Sequence, residues 1–106
     1  MWLEPRELSG WAYWYCMYKK DKPEIRKNIT NSKYSYHYCI DIKDRSEIRK
    51  NITDPYWAFK YCRDIKDDPE VRKNITDSID AYHYCIFIKD RPEVRKYVKE
   101  EEFECG

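Results

Sequence analysis

The sequence predicts an all-α fold built as a solenoid of four two-helix repeats, and three observations carry that prediction. Cys16, Cys39, Cys62 and Cys85 recur every 23 residues. Between them the apolar residues keep the i, i+3, i+4, i+7 spacing of one helix face. The 106 residues include only two glycines, too few for the tight turns of an all-β chain. Set in register, four copies cover nearly the whole chain, and seven columns are the same in every copy. In the third copy these are Tyr61, Cys62, Lys66, Asp67, Glu70, Arg72 and Lys73. Tandem periods of roughly 20 to 50 residues mark arrays whose units bury their apolar faces against one another. The length suits a single domain over 1–106. It divides into an amino-terminal cap (1–9), repeats at 10–31, 32–54, 55–77 and 78–99, and a carboxy-terminal cap or tail (100–106).

Each repeat reads as a long helix and a short one. Asp54 suits an N-cap and Pro55 the first helical position, and no Gly or Pro interrupts the stretch to about Lys66. Asn31-Ser32 and Asp77-Ser78 repeat that start. Ala58, Tyr61, Cys62 and Ile65 fall on one apolar stripe, with Ser35/Tyr38/Cys39/Ile42 and Ala81/Tyr84/Cys85/Ile88 as equivalents. The Lys-Asp-x-Pro stretch ends the long helix, because the residue before proline is driven from the α region. A shorter helix is expected from Pro69 to about Ile75, with Val71 and Ile75 on one face. Neither helix is long enough to be stable alone, so packing against neighbours supplies the core. At the ends, Trp2 and Leu3 are placed to cover the first repeat, and Glu100-Glu101-Glu102 give the last one a polar border.

The stretches Asp67-Asp-Pro-Glu-Val-Arg72 and Asp90-Arg-Pro-Glu-Val-Arg95 resemble the D-x-P-x-V-R segment of HEAT-like and leucine-rich-repeat-variant helical repeats. The 23-residue period is most similar to the variant family. The resemblance spans about residues 11–98 and implies a right-handed superhelix and a binding scaffold, some such scaffolds gripping nucleic acid. It implies no cofactor, because the amino-terminal cysteine cluster that holds an iron–sulfur centre in some variant members is missing from this sequence.

Charge narrows the function classes. Twenty-one Lys and Arg against 20 Asp and Glu leave a net charge of +1, which argues against a binder of nucleic acid or anionic membrane driven by bulk charge. No apolar run approaches membrane-spanning length and Met1 to Arg6 lacks the apolar core of a secretion signal, so a cytoplasmic, non-membrane protein is expected. Five cysteines cannot all pair internally. Equivalent positions on stacked helices stand roughly 8–10 Å apart, beyond the reach of a disulfide. Free core thiols in a reducing compartment are therefore expected, with Cys105 the accessible one. His37 and His83 precede Cys39 and Cys85 by two residues, which puts His and Cys on opposite sides of a helix and excludes a shared metal. The Asn-Ile-Thr stretches at 28, 51 and 74 match the N-glycosylation pattern but read better as turns between repeats. No nucleophile–base set or phosphate loop is present, and a ladder of equal residues is ill suited to bring unlike groups together, so no catalysis is expected.

Two candidate binding surfaces follow. Arg26, Lys27, Arg49, Lys50, Arg72, Lys73, Arg95 and Lys96 form periodic basic ridges able to track a phosphate backbone. Asp21, Asp44, Asp67 and Asp90 and the glutamates at 24, 47, 70 and 93 recur with the same period and would pair with them. The other surface comes from comparing the copies. Columns that vary lie opposite the core stripe, between about 140° and 240° on the helical wheel. They are Trp14/His37/Lys60/His83, Met17/Ile40/Arg63/Ile86, Tyr18/Asp41/Asp64/Phe87 and Gly10/Lys33/Tyr56/Ile79. A constant frame with a varied aromatic face is how repeat arrays present a binding surface. The expectation is a non-enzymatic adaptor or inhibitor, monomeric or weakly self-associating. Its protein partner would be anchored by Trp14, Met17, Tyr18, Ile40, Ile86 and Phe87, with Asp41, Lys60, Arg63 and Asp64 setting register. A phosphate-backbone binder using the basic ridges is the alternative, as is a purely structural array.

Overall fold

The computed structural model describes residues 4–99, all of whose regular elements are helices. Residues 1–3 of the expected amino-terminal cap, the expected cap at 100–106 and Cys105 lie outside the described residues. Long and short helices alternate: α1 (Pro5–Tyr18), α2 (Pro23–Arg26), α3 (Ser32–Asp41), α4 (Ser46–Arg49), α5 (Pro55–Asp64), α6 (Pro69–Arg72), α7 (Ser78–Phe87) and α8 (Pro92–Arg95). Among the described residues no helix is long and apolar enough to cross a membrane.

The chain divides into two units, 1–52 and 53–106. In the first, α1 packs on α2 and α3, and α3 packs on α4; in the second, α5 packs on α6 and α7, and α7 on α8.

Local chemistry sets the boundaries. Asn31, Asp54 and Asp77 are extended and cap α3, α5 and α7, each accepting from backbone N–H groups two or three residues on. α1 has no side-chain cap and starts from Pro5, so residues 5–9 are the first turns of a 14-residue helix. Its three counterparts have 10 residues. Each long helix ends in the same way: the backbone N–H of Lys19, Ile42, Ile65 and Ile88 returns to the carbonyl of Tyr15, Tyr38, Tyr61 and Tyr84. The next N–H, from Lys20, Lys43, Lys66 and Lys89, goes to that same carbonyl. The constant tyrosine therefore closes the helix with its main chain.

The short helices are shorter than the sequence suggests. The sixth helix stops at Arg72, and Asn74 and Ile75 continue it with tight i→i−3 bonds to Val71 and Arg72. Those bonds turn the chain while still burying Ile75, Ile52 and Ile29 completely.

Ala12, Ser35, Ala58 and Ala81 are fully buried, as are Tyr38, Tyr61 and Tyr84. Cys16, Cys39 and Cys62, with Ile48, Val71 and Val94, complete the core. The fourth member of the expected stripe is displaced. Ile42, Ile65 and Ile88 are half-buried, being C-cap residues already outside the helical spiral. Tyr13, Tyr36 and Phe59 are buried in their place.

Candidate functional site

Of the polar residues common to the copies, the aspartates, arginines and tyrosines bind one another. In the first unit Arg26 Nε donates to Asp21 Oδ1 at 2.9 Å, and Tyr38 Oη donates to Asp21 Oδ2 at 2.6 Å. Arg45 Nε donates to Tyr38 Oη at 2.8 Å. The second unit repeats the clasp: Tyr84 Oη donates to Asp67 Oδ2 at 2.7 Å, Arg91 Nε to Tyr84 Oη at 2.8 Å and Arg72 Nη1 to Asp67 Oδ2 at 3.1 Å. Each clasp joins the end of one copy to the long helix of the next. Burial works against the Asp21 carboxylate, but hydrogen bonds from Arg26 and Tyr38 outweigh it and hold the group below the usual carboxylate value. Burial and then the bond to Asp21 push the Tyr38 hydroxyl up to about 12.

This bears on the basic ridges. Arg26, Arg49, Arg72 and Arg95 all stand within 4 Å of the aspartate five residues earlier, at 2.9, 3.9, 3.1 and 3.6 Å. Lys27, Lys50, Lys73 and Lys96 are exposed, and Lys73 Nζ lies 3.0 Å from Glu70. Arg45 and Arg91 do not belong to a constant column, since Lys22 and Asp68 occupy it in the other copies. Their recurrence at every second copy was the signal for their role.

Cys16, Cys39 and Cys62 are buried as expected, whereas Cys85 is half-buried. Burial pushes the Cys39 and Cys62 thiols up to about 12 and raises those of Cys16 and Cys85. All four are unpaired thiols. A disulfide-exchange reagent under native conditions is expected to modify Cys39 and Cys62 at least about 100-fold more slowly than in denaturant. Equal rates in the two conditions would contradict their burial. The Asn51 side-chain amide donates to the Ile29 carbonyl at 3.0 Å, consistent with a turn-forming part for the Asn-Ile-Thr stretch.

Most members of the varied columns lie outward, but Gly10 is buried and His37, Lys60 and His83 are half-buried. Trp14 (50%), Tyr18 (67%), Ile86 (52%) and Phe87 (67%) are widely exposed, with Met17 and Ile40 exposed beside them on α1 and α3. Among the described residues, eight of the nine large exposed apolar side chains, all but Trp11, fall in the four varied columns. The charged residues of that face are partly engaged. Arg63 makes a two-pronged contact with Asp64 at 2.7 and 3.1 Å, Asp41 Oδ2 accepts from Tyr13 Oη at 2.6 Å, and Lys60 lies over Tyr56 and Trp57.

In the first unit the exposed rings border a groove between α1 and α3. One cavity of about 500 Å³ is lined by Trp11, Trp14 and Tyr34, with Arg6, Glu7 and Lys33 at its edge. A second, of about 340 Å³, is lined by Tyr13, Trp14, Tyr34, His37 and Asp41, with Lys33 again. Gly10 makes room for Tyr34, since a Cβ there would stand 3.1 Å from the ring. Trp14 stacks on Tyr18 at 5.2 Å and 7°, and meets Tyr13 edge-on at 5.2 Å. No family model, curated protein or solved structure matches this chain.

Proposed function

We propose that this chain is a non-enzymatic helical-repeat interaction module. In this reading the four copies form one domain, a right-handed solenoid of 23-residue repeats similar to the HEAT-like and leucine-rich-repeat-variant arrays. It works in the cytoplasm as a monomer or weak homo-oligomer, and docks a protein partner on the varied faces of its long helices. The observation that carries the reading is the match between variation and exposure. Among the described residues, the Tyr, Cys, Asp and Arg columns common to the copies are mostly buried or ion-paired and the constant Lys and Glu columns are exposed but charged, while the varied columns hold eight of the nine large exposed apolar side chains. Apolar surface that the fold does not use is the usual mark of an interaction site. Hot-spot anchors of such sites are typically aromatic.

In the phosphate-binding alternative the arginines are already paired with the aspartate ladder, Arg95 in an exposed pair, and the lysines at 27, 50, 73 and 96 are exposed. A tagged pull-down, with and without nuclease and at low and high salt, separates the two. The expected result is a protein retained at high salt after nuclease by the wild type but not by an Ile86→Asp/Phe87→Asp variant, with a Lys50→Glu/Lys73→Glu variant unaffected. Retention that disappears with nuclease, with salt and with the lysine reversals would overturn the reading in favour of phosphate binding.

A further inference from the structure

We propose that the groove between α1 and α3 is a cage for a positively charged side chain, an arginine or lysine presented by a partner peptide. The inference rests on the interaction-module reading and specifies the partner's chemistry.

Three features converge on a cation. Four of the six residues lining the smaller cavity are aromatic, and the buried Tyr13 holds the other three together, with Trp14 at 5.2 Å, Tyr34 at 5.8 Å and His37 at 6.1 Å between ring centroids. Aromatic faces carry negative potential and attract ammonium and guanidinium groups. Asp41 stands in the same cavity as Lys33, its Oδ2 taken by Tyr13 Oη and 3.9 Å from His37 Nδ1; with Lys33 displaced, Asp41 supplies the negative charge and its other oxygen as an acceptor. The chain also displays this chemistry with its own lysines. In the third copy Lys60 Nζ sits 5.6 Å from the centroids of both Tyr56 and Trp57. The first copy has Trp14 in the column of Lys60, so that lysine is replaced by another ring and the cage gains a wall. Lys33 Nζ lies 5.6 Å over Tyr34 at the rim, a resident cation that an incoming one must displace.

The competition with Lys33 makes the proposal testable in both directions. The probe is a short Gly/Ser peptide with one central arginine, compared with the same peptide carrying glutamine or glutamate. Binding to the full chain is followed by the indole N–H signals of Trp11, Trp14 and Trp57 in proton–nitrogen correlation spectra. The arginine peptide is expected to shift Trp14 saturably and leave Trp57 unmoved. Asp41→Asn and Trp14→Leu should each weaken binding about fivefold, and Lys33→Ala should tighten it about twofold. Asp41→Asn keeps an acceptor for Tyr13 and Trp14 is exposed, so both variants are expected to retain the wild-type backbone spectrum. Equal shifts with the glutamine or glutamate peptide, or affinity indifferent to Asp41→Asn and Trp14→Leu, would overturn the proposal. If it fails while the Ile86→Asp/Phe87→Asp variant still loses its protein partner, the cage is wrong and the interaction-module reading stands.

Discussion

Replacing Asp21 by alanine is expected to lower folding stability by about 3–5 kcal/mol, the range for breaking a buried ion pair from one side. Arg26 is only 7% exposed and has its Nε on Asp21 Oδ1. With the carboxylate gone, the guanidinium stays desolvated and keeps a long 3.4 Å bond to the Asp21 carbonyl and its contact with the Tyr38 hydroxyl. The Tyr38 hydroxyl, inside a fully buried residue, loses its acceptor as well. Asp21→Asn keeps an acceptor without the charge and should fall between wild type and alanine. The pH dependence has a definite sign. The folded carboxyl titrates below its ordinary value of 3.8, so its contribution is complete above that value and is lost as pH falls through the folded pKa. Urea denaturation of wild type and Asp21→Ala should therefore show a constant gap at neutral pH that closes below about pH 4. A gap under about 1 kcal/mol at pH 7 would mean that the clasp is solvated and holds little.

The clasp also marks where sequence reading ran out. Periodicity and capping are local properties. The helix starts at Asn31, Asp54 and Asp77 and the outward direction of the varied columns were therefore legible, since both follow from residues a few positions apart. The pairing of the Arg and Asp columns was legible too, because five residues separate each pair across one short turn. The bond from Tyr38 to Asp21 was not. It spans 17 residues and depends on how one long helix lies on the preceding turn, which no spacing rule gives. The exchange of Ile65 for Phe59 in the core has a related cause. The stripe was extrapolated one residue past the point where the chain leaves the helical spiral. The cage was hidden for a third reason: it needs Gly10 to admit the Tyr34 ring, and one missing Cβ is not read as a cavity until the facing helix is in place.

The internal copies supply matched sites for the second large effect. Ile25 and Ile48 occupy the same column and have the same side chain, but Ile48 is 2% exposed whereas Ile25 is half-buried. Removing the side chain to alanine at Ile48 should cost about 2–5 kcal/mol, through lost burial plus the cavity left in a packed interior. At Ile25 solvent already reaches part of the side chain, and the void can collapse or fill with water. The cost there should be less than half as large, about 1 kcal/mol. Because residue type, helix position and flanking Glu and Arg are shared, helix propensity cancels between the two variants and burial is left as the difference. Denaturation midpoints for Ile25→Ala and Ile48→Ala, compared at equal slope, measure it directly. Equal losses would show that the two short helices are packed alike and that the column, rather than its neighbours, sets the burial. The expected asymmetry would show that identical motifs in this chain are stabilised by what covers them.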